Sequence, residues 1–139
     1  MTRTLIVAMS IVVSFGGCAR LGLVGGAPQI ATKLCGVRID SRTRQTHLQI
    51  VLSVSKLPRN GLLEVEFENT ADEKKPLVVT RAVSGDERTI DVLSPPVTKL
   101  QPRTYGVTAR VYAGADRRQL VATHKARCES LVDEHDLLP

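Results

Sequence analysis

The sequence predicts an all-β fold, an antiparallel β-sandwich of about seven strands. Beyond residue 30, apolar and polar residues alternate with a period of two in one segment after another, which is the pattern of half-buried strands. Clusters of turn-forming residues separate these segments at intervals of roughly ten residues, as they do in sandwiches. Because the chain has two Phe, two Tyr and no Trp, Val, Leu and Ile must fill the core.

The first three strands show the clearest alternation. Residues 35–39 and 48–54 alternate between aliphatic side chains and polar or small ones, with Val51 as an interruption. Residues 63–67 form the cleanest half-buried strand. Its polar face carries three glutamates: Glu64, Glu66 and Glu68. Glutamates in this pattern ordinarily keep an exposed sheet face soluble.

Four more strands follow, at residues 77–83, 89–93, 105–112 and 120–128. Turn signals rich in Pro, Gly, Asn, Asp and Ser lie between the predicted strands, at residues 58–61, 69–76, 84–86, 95–96 and 113–116. No window before the C-terminal tail has a convincing helical period. We therefore predict a single domain.

The N-terminus has the layout of a signal peptide. Arg3 supplies the positive charge, and an uncharged, mostly apolar stretch over residues 4–17 ends in small residues before Cys18. That stretch is shorter than the roughly 20 residues that a helix needs to cross a membrane. Cleavage immediately before Cys18 is thus favoured over a permanent transmembrane span.

Gly17 and Cys18, after the apolar leader, resemble the lipobox of bacterial lipoproteins. The resemblance implies that the Cys18 thiol receives diacylglycerol before cleavage and that acyl chains such as palmitate then hold the protein at a membrane. By analogy with enterobacterial lipoproteins, in which Asp after the cysteine goes with inner-membrane retention, Ala19 implies the outer membrane, at its periplasmic face or the cell surface. Ordinary cleavage with release into the periplasm is the alternative.

The chain then divides into four parts: a signal peptide at 1–17, a lipid-anchored tether at 18–29, the β-sandwich at 30–128 and an acidic tail at 129–139. The tether is rich in Gly and shows no alternation. All 19 Lys and Arg lie at or before Arg127, so the body is basic, with a net charge of +5 for the chain. The cations are spread along the sequence without basic blocks, and no nucleic-acid partner is expected.

Residues 100–107, Leu-Gln-Pro-Arg-Thr-Tyr-Gly-Val, continuing to Tyr112, resemble the approach to the sixth strand of fibronectin type III and related immunoglobulin-like domains. A tyrosine corner closes the sandwich in those domains. The resemblance implies that Tyr105 places its ring in the core and its hydroxyl on a nearby backbone group, and that the sandwich is immunoglobulin-like.

Two cysteines remain if Cys18 is acylated, Cys35 in the first strand and Cys128 at the end of the last. In an oxidising compartment an even pair predicts a disulfide. Closing so long a loop would stabilise the domain by about 4 to 5 kcal/mol in the chain-entropy model. Two buried free thiols are the alternative, whereas two cysteines without histidine partners at ligand spacing do not support a metal site.

The sequence contains no recognisable catalytic motif. A nucleophile elbow, a phosphate loop, a zinc-protease motif and a calcium loop are all missing. His47, His124 and His135 are isolated and lack ligand spacing, so we expect no catalytic residue, no metal and no cofactor. An enzyme is therefore the less favoured class.

The preferred functional hypothesis is a membrane-anchored envelope lipoprotein that acts as a non-enzymatic binding or assembly module for another envelope component. An envelope protein could be bound at an edge strand or by the loops. The alternative is a periplasmic or surface module that binds glycan or peptidoglycan, or an inhibitor. A sugar-stacking platform is disfavoured because Phe67, Tyr105 and Tyr112 are the only aromatic residues after the leader, and two of them look internal.

Overall fold

The computed structural model of the protein describes residues 26–131. Within that range the chain forms seven β-strands and no helix, so the all-β prediction is confirmed, and nothing in it could cross a membrane as a helix. The strands are β1 (Gln29–Ile39), β2 (Thr46–Ser55), β3 (Gly61–Phe67), β4 (Leu77–Val83), β5 (Thr89–Leu93), β6 (Thr104–Tyr112) and β7 (Leu120–Glu129).

The strands form two antiparallel sheets that share one core, which confirms the predicted sandwich. The three-stranded sheet has the order β1-β2-β5, and the four-stranded sheet has the order β4-β3-β6-β7. Side chains at alternate positions point inward from both sheets. In β3 the inward set is Leu63, Val65 and Phe67, each at most 1% exposed.

Aliphatic side chains fill the core, as the composition predicts. Those from β2, β5 and β6, and from the connection between β5 and β6, join the β3 set. Each fully buried Val, Leu or Ile contributes roughly 1.5 to 3 kcal/mol. The largest of these fully buried aliphatic residues outside β3 are Leu48, Ile50, Leu52, Ile90, Leu100, Val107 and Val111.

Strand β1 begins at Gln29, well before the alternation that starts at Cys35. Its first half shows no alternation because β1 is an edge strand, and most side chains from Gln29 to Leu34 are exposed. A register shift between Thr32 and Leu34 also interrupts the ladder with β2. The last residue of the predicted tether, Gln29, thus pairs with Ser55 in the sheet.

Tyr105 lies at the start of β6 with its ring in the core and 1% of its surface exposed. Its hydroxyl donates to the carbonyl oxygen of Gln101 at 2.9 Å and accepts the N–H of the same residue at 2.8 Å. The Arg103 guanidinium lies 4.1 Å from the centre of the ring. These contacts fasten the end of the β5–β6 connection to the core.

The predicted disulfide between Cys35 and Cys128 is confirmed. The two Cα atoms are 5.1 Å apart, within the usual range for a disulfide. The bond joins β1 to β7, the edge strands of the two sheets on one side of the sandwich. Beside it, Thr32 Oγ1 and His124 Nε2 are hydrogen-bonded at 2.7 Å. That side of the sandwich is therefore closed by a covalent bond.

Candidate functional site

The two sheets have four edge strands, of which β4 is the least protected. Strands β1 and β7 lie against each other and are linked by the disulfide, and β5 has only five residues. In contrast, β4 has seven residues and pairs with β3 without a register shift. Natural edge strands are usually guarded by charge, proline, bulges or short length. Arg81 is the only charged residue in β4, so this edge can accept another strand.

The backbone polar groups of β4 point alternately to β3 and to the free side. Glu68 N–H donates to Gly106 O on the β6 side at 2.9 Å, so even-numbered residues of β3 face β6 and odd-numbered ones face β4. Through the register of the pair, Val79 and Arg81 then bond to β3. The backbone groups directed to the free side belong to Val78, Thr80 and Ala82.

The side chains of the same three residues are exposed on the outer face of the sheet. Val78 has 47% of its surface exposed, so an apolar side chain is open to solvent at this edge of the sheet. Thr80 begins a row across all four strands, which continues through Glu64 and Arg110 to Thr123. Thr80 and Thr123 are thus two exposed threonines at opposite edges of one sheet.

A cleft of about 420 Å³ lies where β4 ends. Leu62 contributes to its floor, and Arg59, Arg81 and Glu87 lie around it. Arg81 contacts Glu87 at 2.6 Å, and the second carboxylate oxygen of Glu87 accepts the N–H of Ser84 at 2.9 Å. Within residues 26–131, Arg59 forms no ion pair. The cleft thus offers one unpaired guanidinium beside a partly apolar floor.

Glu64 and Glu66 of β3, and Glu68 directly after it, are held in ion pairs on the outer face. Arg110 lies 3.4 Å from Glu64 and 3.0 Å from Glu66, and Arg103 lies 2.7 Å from Glu68. Glu64 and Glu66 are half-buried because β4 and β6 flank β3 on both sides. The arrangement is a cross-strand charge ladder that stabilises the sheet. Its carboxylates pair with arginines of the same chain.

Glu68, the residue directly after β3, has a shifted pKa. Burial alone would raise its pKa, but the hydrogen bond from the Gly106 N–H and the ion pair with Arg103 outweigh burial. The pKa of Glu68 therefore lies below its ordinary value of 4.5. The same ion pair raises the pKa of Arg103. A carboxylate stabilised in its charged form is a poor proton donor at neutral pH.

The histidines that could carry chemistry are separated and engaged in structural contacts. His47 Nδ1 is bonded to the carbonyl oxygen of Ser94 at 2.7 Å, and His124 contacts β1 as described. His135 and the predicted lipidation site Cys18 lie outside the described residues. In the part of the chain that the structure describes, no three His, Cys, Asp or Glu side chains form a metal-binding group.

The alternation and the turn signals predicted strand β4 and the loops around the cleft. They did not predict that β4 is an edge strand or that Arg59 and Arg81 line the same cleft. The strand order of the sheet decides both features, and alternation within one strand carries no information on its neighbours. The Lys74-Lys75-Pro76 run directly before β4 is a signal that could have suggested an edge strand, although these residues lie outside the strand and leave Leu77–Val83 itself with one charge. No protein-family model matches the chain, and no curated protein matches it.

Proposed function

We propose that the protein is a membrane-anchored envelope lipoprotein and a non-enzymatic binding or assembly module. Its edge strand β4 takes up an extended segment of another envelope protein, which becomes an additional strand of the four-stranded sheet. The observation that carries the proposal is the uninterrupted, unpaired edge of β4. The lipidation motif at Cys18 supports the anchoring.

Strand addition would draw its affinity from backbone hydrogen bonds. The outward N–H and C=O groups of Val78, Thr80 and Ala82 could make up to about six such bonds, each with a net value of about 0.5 to 1.5 kcal/mol. Ordering an extended segment offsets a large part of this gain. The resulting affinity is modest, which suits a module that a lipid anchor keeps at high local concentration beside its partner.

The fold that presents this edge is proposed to be immunoglobulin-like. The strand order and the buried, backbone-bonded Tyr105 support this assignment. The fourth strand departs from the constant-type immunoglobulin arrangement, because it extends the sheet of β3, β6 and β7 and leaves β5 at the edge of the three-stranded sheet. That placement is what makes β4 available.

The cleft at the end of β4 favours a second candidate, a ligand-binding or inhibitor module. Arg59 would meet an anionic group of the ligand there. A glycan ligand has less support, because Phe67 and Tyr105 are buried and only Tyr112 among the aromatic residues of the described chain reaches the surface. Without a stacking platform, the cleft offers a sugar little apolar contact.

Site-specific photo-crosslinking in the native envelope tests the proposed use of β4. A photoreactive side chain at Thr80 should trap a discrete protein partner, whereas the same side chain at Thr123 should not. Both residues are exposed threonines in one row of the sheet, so the comparison isolates the edge. Equal crosslinking from the two positions, or none from Thr80, would contradict the proposal.

A proline substitution sharpens the test. Thr80→Pro removes an N–H that points to the free side, so the domain should fold while strand addition is lost. Val79→Pro removes an N–H bonded to β3 and should destabilise the domain itself. If Thr80→Pro folds and retains the crosslinked partner through a reporter at Val78, the β4 edge is not the binding surface.

A further inference from the structure

The N-terminal segment leaves the domain at the end where β2 finishes. Gln29, the first residue of β1, pairs with Ser55, the last residue of β2. Gly26 lies beside the loop between β2 and β3, since a Cβ atom added to it would be 3.3 Å from Lys56 Nζ. Any anchor at Cys18 therefore connects to this end of the sandwich.

Three loops meet at the same end. The β4–β5 loop reaches β2 through the Arg88 carbonyl oxygen, which accepts the Val54 N–H at 2.9 Å. The start of β3 touches the end of β6, since a Cβ added to Gly61 would be 2.9 Å from Tyr112 O. We name this surface the tether end and define it as residues 56–60, 84–88 and 113–119.

The tether end has more cations than anions, and its anions are engaged. Asp116 is paired with Arg118 at 3.5 Å, and Glu87 with Arg81 of β4. Arg117 is paired with Glu64 of β3 at 3.2 Å. Lys56 and Arg59 form no ion pair among the described residues, and the guanidinium hydrogen bonds of Arg88 go to backbone oxygens. The exposed cations of the tether end are Lys56, Arg59, Arg88, Arg117 and Arg118. Its anions are Asp86, Glu87 and Asp116.

We propose that the tether end is a docking surface for the anionic lipid headgroups of the membrane that holds the Cys18 anchor. This inference rests on the proposed anchoring and adds an orientation to it. Only seven residues lie between Cys18 and Gly26, and the eight steps along the chain span at most about 29 Å. Exposed Arg and Lys side chains bind phosphate oxygens, and their attraction extends over a Debye length of about 8 Å at physiological ionic strength.

Position distinguishes the tether end from the far end of the domain, which has cations of its own. Strand β2 runs between the two ends with 10 residues, so the far end lies about 33 Å from the tether end. Strand β7 ends at Glu129, at that far end. Docking through the tether end would therefore direct the C-terminal end of β7 away from the membrane.

The test uses the lipidated full chain, purified from membranes, in vesicles of phosphatidylcholine alone or with one third phosphatidylglycerol. Hydrogen–deuterium exchange is measured in the loops at both ends of the domain. Exchange in the tether-end loops should be several-fold slower on the anionic vesicles and should recover at about 0.5 M salt. Loops 40–45, 68–76 and 94–103 should not change. Equal exchange on the two vesicle types would overturn the proposal.

Two triple variants provide a matched comparison, each with one left-handed lysine replaced by glycine and two exposed cations neutralised. The two lysines with left-handed backbone are Lys56, with φ of 57°, and Lys99, with φ of 56°. The tether-end variant is Lys56→Gly, Arg59→Gln and Arg88→Gln. The far-end variant is Lys99→Gly, Arg42→Gln and Lys75→Gln. Protection on anionic vesicles should be lost in the tether-end variant alone; its loss in both, or in neither, would refute the assigned surface.

Flotation separates this proposal from the anchor. An anchored chain floats with neutral and anionic vesicles alike, whatever its loop charges. If the chain fails to float with neutral vesicles, the proposed lipid anchoring through Cys18 is wrong. Flotation with anionic vesicles only, lost in the tether-end variant, would still support the docking surface. No flotation with either vesicle type would reject both.

Discussion

Truncating Tyr105 should be among the most damaging single changes to the domain. Tyr105→Ala removes a ring that is 1% exposed, and large aromatic truncations in cores cost about 3 to 5 kcal/mol. Tyr105→Phe keeps the ring and removes only the hydroxyl, which is bonded to both backbone groups of Gln101. Loss of those bonds should cost about 1 to 2 kcal/mol. Urea denaturation, with a check that the slope is unchanged, measures both values.

Tyr112 is the matched control, because it is the other tyrosine of the chain and lies half-buried on the outer face of the same strand. Its hydroxyl has no hydrogen bond among the described residues. Tyr112→Phe should therefore change the free energy of unfolding by less than about 0.5 kcal/mol. If Tyr105→Phe is as mild as Tyr112→Phe, the hydroxyl does not fasten the β5–β6 connection, and the tyrosine-corner assignment fails.

Four further changes test other parts of the structure. Cys35→Ala with Cys128→Ala should lower the free energy of unfolding by about 2 to 5 kcal/mol and Tm by roughly 10 °C or more; two alkylatable thiols in the native protein would exclude the disulfide. Because the pKa of Glu68 is lowered in the folded protein, its charged carboxylate stabilises the fold. This contribution is complete at pH values above the ordinary pKa of 4.5 and is lost as the pH falls through the folded-state pKa. Glu68→Gln should thus lower stability at pH 7 and flatten the loss of stability as the pH falls below 4.5, and an unchanged acid profile would contradict the ion pair. Lys99→Gly should be about 1 kcal/mol more stable than Lys99→Ala in thermal melts, because only glycine adopts a φ of 56° without strain; the reverse order would reject the left-handed turn. Glu66→Gln should cost less than about 0.5 kcal/mol, because its carboxylate is one-third exposed and Gln can still accept from Arg110; a loss above 1 kcal/mol would mean that the charge ladder is more important than we infer.

The sequence predicted those strands in which burial of one face imposes an alternation of apolar and polar residues. Strands β2, β3 and β6 lie inside their sheets, and their inward residues, such as Leu63 and Val107, follow the period of two. The disulfide was predictable because two cysteines fell on the first and last strands. The start of β1 could not be predicted. Its side chains are mostly exposed at the edge of the sheet, so burial imposes no alternation of apolar and polar residues there.

Features that depend on neighbours across the sheet could not be predicted from one strand at a time. The Glu ladder of β3 was expected to face solvent, yet the cross-strand register brings Arg110 onto Glu64 and Glu66. The unpaired edge of β4 likewise follows from strand order. Loops distant in sequence, at Lys56 and Arg117, meet at the tether end only because all the strands pair antiparallel.

Membrane anchoring through Cys18 is the claim on which the proposed function and the docking surface both depend. Metabolic labelling with a clickable palmitate analogue measures it directly. The wild-type chain should be labelled and should fractionate with membranes, whereas Cys18→Ser should be unlabelled and either released or retained as the precursor. Labelling that persists at the wild-type level in Cys18→Ser would contradict the lipidation at this cysteine and, with it, the membrane location.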